Sequence, residues 1–155
     1  MADVLEGGCQ CGGVRYRITG TPLTFYACHC TECQKQSASA FGLSFWVKRP
    51  DFELVSGEPK VWERPADSGG TTVCAFCPDC GTRLYHFGLQ DREILSVKAG
   101  SLDGASGFAP VGHIWVRSKL PWVDLSCLPG DLVHETEPPD FGEFLRRWRA
   151  ASQGG

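Results

Sequence analysis

Short segments of alternating apolar and polar residues dominate the chain, and this spacing predicts β-strands. Val14, Tyr16 and Ile18 alternate with Arg15 and Arg17, as in a strand with one buried and one solvated face. Gly and Pro residues separate the successive segments as turns. The other predicted strands are Leu23–Ala27, Phe41–Val47, Phe52–Ser56, Val61–Arg64, Thr71–Phe76, Thr82–Phe87, Ile94–Ala99, His113–Val116 and Trp122–Leu125. The pattern therefore predicts a mainly β fold.

A short helix is predicted directly after Cys30. Thr31 has the side chain of an N-cap, and Gln34 follows three residues later, which is the spacing of a capping box. The helix would extend to about Ser39 and hold Cys33 in its first turn.

A second helix is predicted near the C-terminus, over about 140–150. Asp140 and Glu143 have the capping-box spacing. Apolar residues then recur on one helical face, so this helix is expected to pack by an apolar stripe. The stripe consists of Phe141, Phe144, Leu145 and Trp148.

Length and charge narrow the classes of function. The 155 residues suit a single domain over 1–155, with a core of about 7–129. The net charge of −3 does not indicate nucleic acid as a partner, so no nucleic-acid partner is expected. No apolar segment approaches the roughly 20 residues that span a bilayer, and the first eight residues lack the apolar region of a secretory signal. A cytoplasmic protein without a membrane partner is expected.

Cysteine is the unusual component, with nine residues in the chain. A domain of this size folds without disulfides, and the reducing cytoplasm disfavours them, so metal binding or thiol chemistry is the expected use. Seven of the nine lie in three tight groups: Cys9-x-Cys11, Cys28-x-Cys30-x-x-Cys33 and Cys77-Pro-Asp-Cys80-Gly81.

The third group is typical of half of a structural zinc site. Its Pro fixes the turn, and Gly81 can take the positive φ that directs backbone N–H groups at sulfur. A tetrahedral structural zinc needs four ligands, and Cys9 and Cys11 form the one other isolated pair. We therefore expect Cys9, Cys11, Cys77 and Cys80 to bind one structural zinc.

The middle group supplies three thiols, Cys28, Cys30 and Cys33. Three protein ligands with one open position are typical of a catalytic zinc, so these cysteines are the candidate catalytic residues. His29 would point away from both neighbours in an extended segment. Two other interpretations stay open. One is a structural zinc closed by another residue, the candidates being Cys74, Cys127, His86 and His113; the other is a metal-free redox triad with Cys33 as nucleophile.

Charge favours thiol chemistry over hydrolysis at this second zinc. Three thiolates and one Zn²⁺ leave a net charge of −1, which makes the ion a weak Lewis acid toward water. A soft, electron-rich zinc suits an incoming thiol. An anionic substrate would need nearby cations, and the candidates, each more often an ordinary solvated residue, are Arg83, Lys98, Arg117 and Lys119.

The remaining cysteines and His113 are interpreted as structural. Cys74 is predicted to be a strand residue and Cys127 a small core residue. His113 opens an apolar run and is predicted to be a structural histidine at the end of a strand. The tryptophans, including Trp46, Trp115 and Trp122, are expected in the core before any binding role.

All three cysteine groups, in order, resemble the family of glutathione-dependent formaldehyde-activating enzymes, which includes centromere protein V. The resemblance covers about Gly7 to Pro129. The matching segments are Gly8-Cys-Gln-Cys-Gly-Gly-Val-Arg-Tyr, Cys28-His-Cys-Thr-Glu-Cys-Gln-Lys, Phe76-Cys-Pro-Asp-Cys-Gly-Thr, His113-Ile-Trp-Val and Pro121-Trp122.

The resemblance implies an Mss4-like fold, a structural zinc at Cys9, Cys11, Cys77 and Cys80, and a second zinc at the middle group. It also implies carbon–sulfur lyase chemistry, the condensation of glutathione with formaldehyde to S-hydroxymethylglutathione and its reverse. The expected partner is thus a small thiol, glutathione or its aldehyde adduct. Two other classes remain: a zinc-stabilised interaction module with both sites closed, and a thiol redox or aldehyde sensor that releases zinc on oxidation.

Overall fold

A computed structural model of the chain describes residues 4–154. It is mainly β with two α-helices, which confirms the predicted fold class. The strands are β1 (Leu5–Gly8), β2 (Arg15–Ile18), β3 (Thr24–Cys28), β4 (Gly42–Lys48), β5 (Phe52–Ser56), β6 (Lys60–Pro65), β7 (Thr71–Phe76), β8 (Arg83–Gly88), β9 (Ile94–Lys98) and β10 (Gly112–Ile114). The helices are α1 (Thr31–Ser37) and α2 (Gly142–Gln153). Neither helix is long and apolar enough to cross a membrane, as far as the described residues extend.

The chain divides into two compact units. Unit 1 contains the described chain up to Pro22 together with Phe45–Gly107, and unit 2 contains Leu23–Ser44 together with the described chain from Phe108 onward. Strand β4 begins in unit 2 and ends in unit 1. The predicted domain over 1–155 includes residues 1–3 and 155, which lie outside the described residues, and its unity stays a prediction.

Unit 1 contains two sets of antiparallel strands. Strands β1, β2 and β5 pair in that order, and β6 to β9 follow one another as antiparallel neighbours. The alternation predicted for β2 is confirmed, since Tyr16 and Ile18 are buried while Arg15 and Arg17, which alternate with them, form ion pairs. The Tyr16 ring stacks on Phe52, with 5.1 Å between ring centroids, and Phe52 contacts Tyr85 edge-to-face. Aromatic contacts of this kind stabilise the core beyond simple area burial.

Unit 2 is built on β3, which pairs in parallel with β10. The apolar stripe of α2 packs as predicted, with Phe144 and Trp148 buried. Trp148 meets Phe25 edge-to-face at 6.1 Å, and the Thr24 hydroxyl donates to the Phe144 carbonyl at 3.2 Å. This packing holds the strand that leads directly into the middle cysteine group.

Several predicted boundaries are wrong. Trp122–Leu125 is not a strand, and Trp122 is 73% exposed rather than part of the core. Strand β10 ends at Ile114, and the chain continues as a 3₁₀-helix over Val116–Ser118. Strand β1 had no predicted counterpart. Helix α2 begins two residues after Asp140, whose carboxylate accepts the Gly142 N–H at 2.6 Å instead of capping through Glu143.

Candidate metal centres

The first candidate metal centre lies in unit 1 and brings together two cysteine pairs that are distant in sequence. The Sγ atoms of Cys9 and Cys11 are 3.4 Å apart, and those of Cys11 and Cys77 are 3.7 Å apart. All four sulfurs, with Cys80, lie within 4.8 Å of one another. The structure thus assembles the four predicted residues into one cluster.

Two tight turns shape this cluster. After β7, the Gly81 N–H donates to the Cys77 carbonyl at 2.9 Å, and Gly81 has a φ of +77°, as the Pro-x-Cys-Gly pattern predicts. The Cys77 N–H in turn donates to the Thr82 carbonyl at 2.9 Å. After β1, Cys9 pairs with Val14 through a backbone hydrogen bond of 3.0 Å. A positive φ is easily adopted by glycine, so these turns need little strain.

Hydrogen-bond donors surround the sulfurs. The Val14 N–H donates to Cys9 Sγ at 3.1 Å, and the Thr82 hydroxyl lies 3.2 Å from Cys80 Sγ. Hydrogen bonds from Thr82 lower the pKa of Cys80 to about 5, because they stabilise the thiolate. The same Thr82 oxygen accepts the Gln10 N–H at 3.0 Å, which links the two turns.

The donor set fits a tetrahedral metal ion. Four sulfurs held about 2.3 Å from a zinc ion lie about 3.8 Å from one another. The spacings in the cluster are close to this edge length, and four thiolates are the ligand set of structural zinc sites. The geometry therefore allows a closed metal site with four sulfur ligands.

The second candidate metal centre lies in unit 2, where β3 passes into α1. Cys28 is the last residue of β3, Cys30 precedes α1, and Cys33 lies in its first turn. Their three sulfurs are within 4.8 Å of one another. Cys28 and Cys33 are buried, and Cys30 is half-buried. Six consecutive residues therefore supply all three thiols.

The start of α1 differs from its prediction. Cys30 is the N-cap in place of Thr31, because its Sγ accepts the Cys33 N–H at 3.3 Å. Gln34 makes no capping box. Its side-chain amide donates to the His29 carbonyl at 2.7 Å and to the Ser118 carbonyl at 2.8 Å. One side chain thus ties the cysteine segment to the 3₁₀-helix that follows β10.

The surroundings of Cys28 and Cys30 shift the pKa values of these two thiols in opposite directions. Hydrogen bonds from Cys28, Cys33 and backbone N–H groups lower the pKa of Cys30, whereas its position beside the other two sulfurs raises the pKa of Cys28. A helix N-terminus also favours negative charge. Gly42 makes room for the group, since a Cβ there would lie 3.2 Å from Cys33 Cβ.

His29 is buried on the opposite side of the segment, as its alternation with the two cysteines predicts. Its Nε2 lies 2.9 Å from Nδ1 of His113, and its ring contacts Phe41. Burial lowers the pKa of His29 to about 4 and also lowers the pKa of His113, so both rings are neutral near pH 7. His113 is thereby confirmed as a buried strand residue.

No fourth ligand joins the three thiols within residues 4–154. Of the candidates, His113 is engaged with His29, and Cys127 is exposed, which corrects its prediction as a core residue. Cys74 is a buried residue of β7, as predicted. The donor set fits a soft metal ion with one position left for another ligand.

A cavity of about 620 Å³ also lies in unit 2. Val116 and Lys119 line it on either side of Ser118, the residue whose carbonyl Gln34 binds. Lys119, Asp124, Ser126 and Glu135 contribute its polar groups, and the remaining lining side chains are apolar. The cavity is open to solvent rather than enclosed.

Sequence reasoning did not identify the Gln34 bridge, the His29–His113 pair or the role of Gly42. The His29 position followed from the alternation in Cys28-His29-Cys30, but its partner is 84 residues away in sequence. Such contacts depend on the pairing of β3 with β10, which no local pattern encodes.

Comparison with known proteins agrees with this geometry. A family model described as "Glutathione-dependent formaldehyde-activating enzyme" matches residues 4–118. A Halomonas elongata protein named "Putative glutathione-dependent formaldehyde-activating enzyme" is 27% identical over 152 residues, which are 95% of each chain. A crystal structure of a Rhodobacter sphaeroides protein has a similar fold, with a TM-score of 0.52 and 20% identity over 68% of this chain and 97% of that one. The chain therefore belongs to the glutathione-dependent formaldehyde-activating enzyme family.

Proposed function

We propose that the protein is a zinc-dependent carbon–sulfur lyase that acts on a thiol–aldehyde adduct, with glutathione as the default thiol. The observation that carries this proposal is the group of three thiols, which no fourth ligand joins among the described residues. Family membership and the name of the Halomonas elongata relative support glutathione and formaldehyde as the substrate pair.

The proposed reaction joins the thiol sulfur to the aldehyde carbon and moves the thiol proton to the aldehyde oxygen; the reverse reaction breaks the same C–S bond. Zinc bound by Cys28, Cys30 and Cys33 would lower the pKa of the incoming thiol and favour its thiolate. A bound ion with three thiolate ligands suits a thiol better than water, because their charge weakens its acidity toward water.

The chain's own contribution is to hold the three sulfurs in place. Cys30 is fixed by its cap hydrogen bond, and Gln34 anchors the His29 carbonyl between the first two cysteines. The His29 N–H donates to the Ile114 carbonyl at 2.9 Å, which fastens the same residue to β10. These contacts pre-organise the thiols, so that little order has to be gained on binding.

The cavity of unit 2 supports a small zwitterionic substrate. Glutathione carries one ammonium and two carboxylate groups, and the cavity walls carry Lys119, Asp124 and Glu135. The Lys119 ammonium already donates to the Val123 carbonyl at 2.6 Å, which holds it at the wall. Lys119 could pair with one glutathione carboxylate, and Asp124 or Glu135 could accept a hydrogen bond from its ammonium.

The proposal is tested with the metal-loaded full chain. Metal analysis should give two zinc ions per chain, and calorimetric titration should show binding of glutathione or S-hydroxymethylglutathione. NMR exchange spectroscopy of glutathione with formaldehyde should show interconversion faster than the uncatalysed reaction. In C33S we expect one zinc per chain and the uncatalysed rate.

The matched control is C127S, which removes an exposed cysteine outside both clusters. It should keep both zinc ions and the wild-type rate. Absence of binding of either ligand at millimolar concentration would contradict glutathione as the thiol. X-ray absorption showing two saturated all-sulfur sites would favour an interaction module, and ready zinc release by mild peroxide would favour a sensor.

We also propose the cytoplasm as the location. All nine cysteines are free of disulfides, and reduced thiols persist in a reducing compartment. Cell fractionation with detection of the chain tests this; recovery from an oxidising compartment would contradict it.

A further inference from the structure

A group of basic side chains occupies one face of the antiparallel strands β6 to β9 in unit 1. In the centre of this face, Trp62, Cys74, His86 and Ser96 are successive cross-strand partners. Because side chains alternate between faces, residues two positions along a strand share this face. Arg64, on β6, therefore lies on one side of the row.

Arg83 lies on the other side of the same row. It is the cross-strand partner of Phe76, which shares the face of Cys74. Its guanidinium carbon is 5.7 Å from the centre of the Phe76 ring and 5.9 Å from that of Trp62. Arg64 and Arg83 thus approach His86 from both sides.

Three polar nitrogens on this face are buried without a hydrogen-bond partner. They are Nε of Arg64, Nη2 of Arg83 and Nδ1 of His86. A buried donor without a partner destabilises the fold, and it does so more strongly when it is charged. Buried polar groups are therefore nearly always hydrogen-bonded, and an exception calls for a missing partner such as an ion or water.

The missing partner is not a carboxylate of the described chain. None lies within 4.0 Å of the Arg64 or Arg83 guanidinium in residues 4–154, whereas Arg15 pairs with one carboxylate and Arg147 with two. Arg64 makes one hydrogen bond, to the Pro65 carbonyl at 3.2 Å. The Arg64 and Arg83 guanidinium groups thus have no carboxylate partner among the described residues.

The His86 imidazole is neutral near pH 7. Burial, and then the positive charges of Lys98, Arg64 and Arg83, hold its pKa well below the usual value. A neutral imidazole can donate one hydrogen bond from Nδ1 without adding another positive charge to the group.

We propose that Arg64, Arg83 and His86 form a binding site for a small oxyanion, a phosphate or carboxylate group. The guanidinium fork matches the paired oxygens of both groups, and a ligand of this class supplies acceptors for all three unpartnered nitrogens. Trp62 contributes an aromatic wall beneath Arg83. This site is separate in its residues from both cysteine clusters.

The test is a titration of the metal-loaded full chain with inorganic phosphate and, separately, with succinate, each against sodium chloride at equal ionic strength. Calorimetry and the fluorescence of Trp62, isolated by comparison with W62F, report binding. We expect saturable binding of at least one anion below about 10 mM. Saturation by phosphate alone assigns a phosphate ligand, and saturation by succinate alone assigns a carboxylate.

The variants R64Q and R83Q should each weaken binding at least about tenfold, because each removes one charged fork. The control is R92Q, since Arg92 also lies over an aromatic ring, that of Phe87, at 5.8 Å but outside this face. It should bind the anion as the wild type does. Equal affinity in R64Q and wild type, or no saturable binding of either anion, would overturn the proposal.

If R83Q folds poorly, thermal unfolding of the wild type and of R64Q still tests the proposal. A bound anion raises the unfolding temperature of the wild type, and this rise should be smaller in R64Q. C33S should bind the anion normally, because the site does not depend on the proposed thiol chemistry. Loss of anion binding in C33S would show that the ligand belongs to the thiol site instead, which also overturns the proposal.

Discussion

The two cysteine clusters differ in how the chain brings their sulfurs together. In unit 1, four sulfurs come from two turns whose cysteines are 66 residues apart at the Cys11–Cys77 contact. In unit 2, three sulfurs come from one passage between β3 and α1. The first cluster joins distant parts of the chain, while the second depends on contacts formed around it. The number of sulfurs and their separation in sequence are the basis for proposing a stabilising site in unit 1 and a ligand-accepting site in unit 2.

The second cluster is surrounded by contacts that do not involve a metal ion. Its sulfurs are positioned by the Cys30 cap, the Gln34 bridge and the His29–His113 pair. Unit 2 is packed by aromatic residues of α2 and β3. Its stability should therefore depend on apolar burial, whereas that of unit 1 should depend on metal.

The largest effect is expected from C77S. Cys77 is fully buried, and its loss would leave three ligands for the proposed structural metal, which would contribute folding free energy. We expect loss of one zinc per chain and a fall of about 5 kcal/mol or more in the free energy of unfolding. Denaturant unfolding with metal analysis measures both.

C33S is the comparison for C77S. It should also lose one zinc but cost only about 1 kcal/mol, because hydrogen bonds and packing hold the segment. A stable C77S together with an unfolded C33S would reverse the roles assigned to the two clusters.

The next largest effect is expected from F144A in unit 2. Phe144 is 1% exposed, and truncation of a buried Phe costs about 3 to 5 kcal/mol through lost burial and the cavity left behind. Denaturant unfolding measures the loss. W122A removes a residue that is 73% exposed and should change stability by no more than about 0.5 kcal/mol. Similar losses in both variants would show that α2 packing does not stabilise unit 2.

A smaller effect is expected from Q34A. The substitution removes the two hydrogen bonds to the His29 and Ser118 carbonyls, each with a net contribution of about 1 kcal/mol. We expect about 1 to 2 kcal/mol of lost stability and weaker metal binding at the second cluster, measured by competition with a chelator. Q36A, two residues further along the same short helix, is the control and should keep wild-type metal affinity. Equal metal affinity in Q34A would contradict a positioning role.

The smallest effect is expected from D103N in unit 1. Hydrogen bonds from Arg15 lower the pKa of Asp103, and one of them measures 2.9 Å. This pair therefore stabilises the fold above the unfolded pKa of about 3.9, and the contribution is lost as pH falls through the lower folded value. Because the pair is largely exposed, its contribution is at most about 1 kcal/mol.

Unfolding measured between pH 7 and pH 2 should show a smaller acid-dependent loss in D103N than in the wild type. D67N, at an exposed position in the turn after β6, is the control and should follow the wild type. An acid-dependent loss as large in D103N as in the wild type would show that the pair does not contribute.

Features that depend on residues close together in the sequence could be predicted. The period of two in β2 and the apolar stripe of α2 both depend on residues a few positions apart, and both are found as predicted. The cysteine clusters were predictable because ligand spacing limits which sulfurs can share an ion. Strand β1 was not, because its Leu-Glu-Gly-Gly sequence has little strand propensity and forms by pairing with β2.

Other features depend on contacts that sequence does not display. Trp122–Leu125 has the composition of a strand, but Trp122 lies exposed in a turn and the next three residues have no regular secondary structure. Thr31 looks like an N-cap, yet Cys30 takes that place because its sulfur reaches the Cys33 N–H. The sequence predicts Arg83 to be a solvated strand residue. Its position between two aromatic rings follows from the register of β6, β7 and β8.

The long sequence separation within the first cluster has a consequence for biosynthesis. Cys11 leaves the ribosome 66 residues before Cys77. At about 5 to 20 residues per second, this interval lasts about 3 to 13 seconds. During it, Cys9 and Cys11 form an incomplete pair that is open to oxidants and to competing metals, while Cys28, Cys30 and Cys33 emerge almost together. Translation speed and zinc supply should therefore limit how much newly made chain reaches its native state.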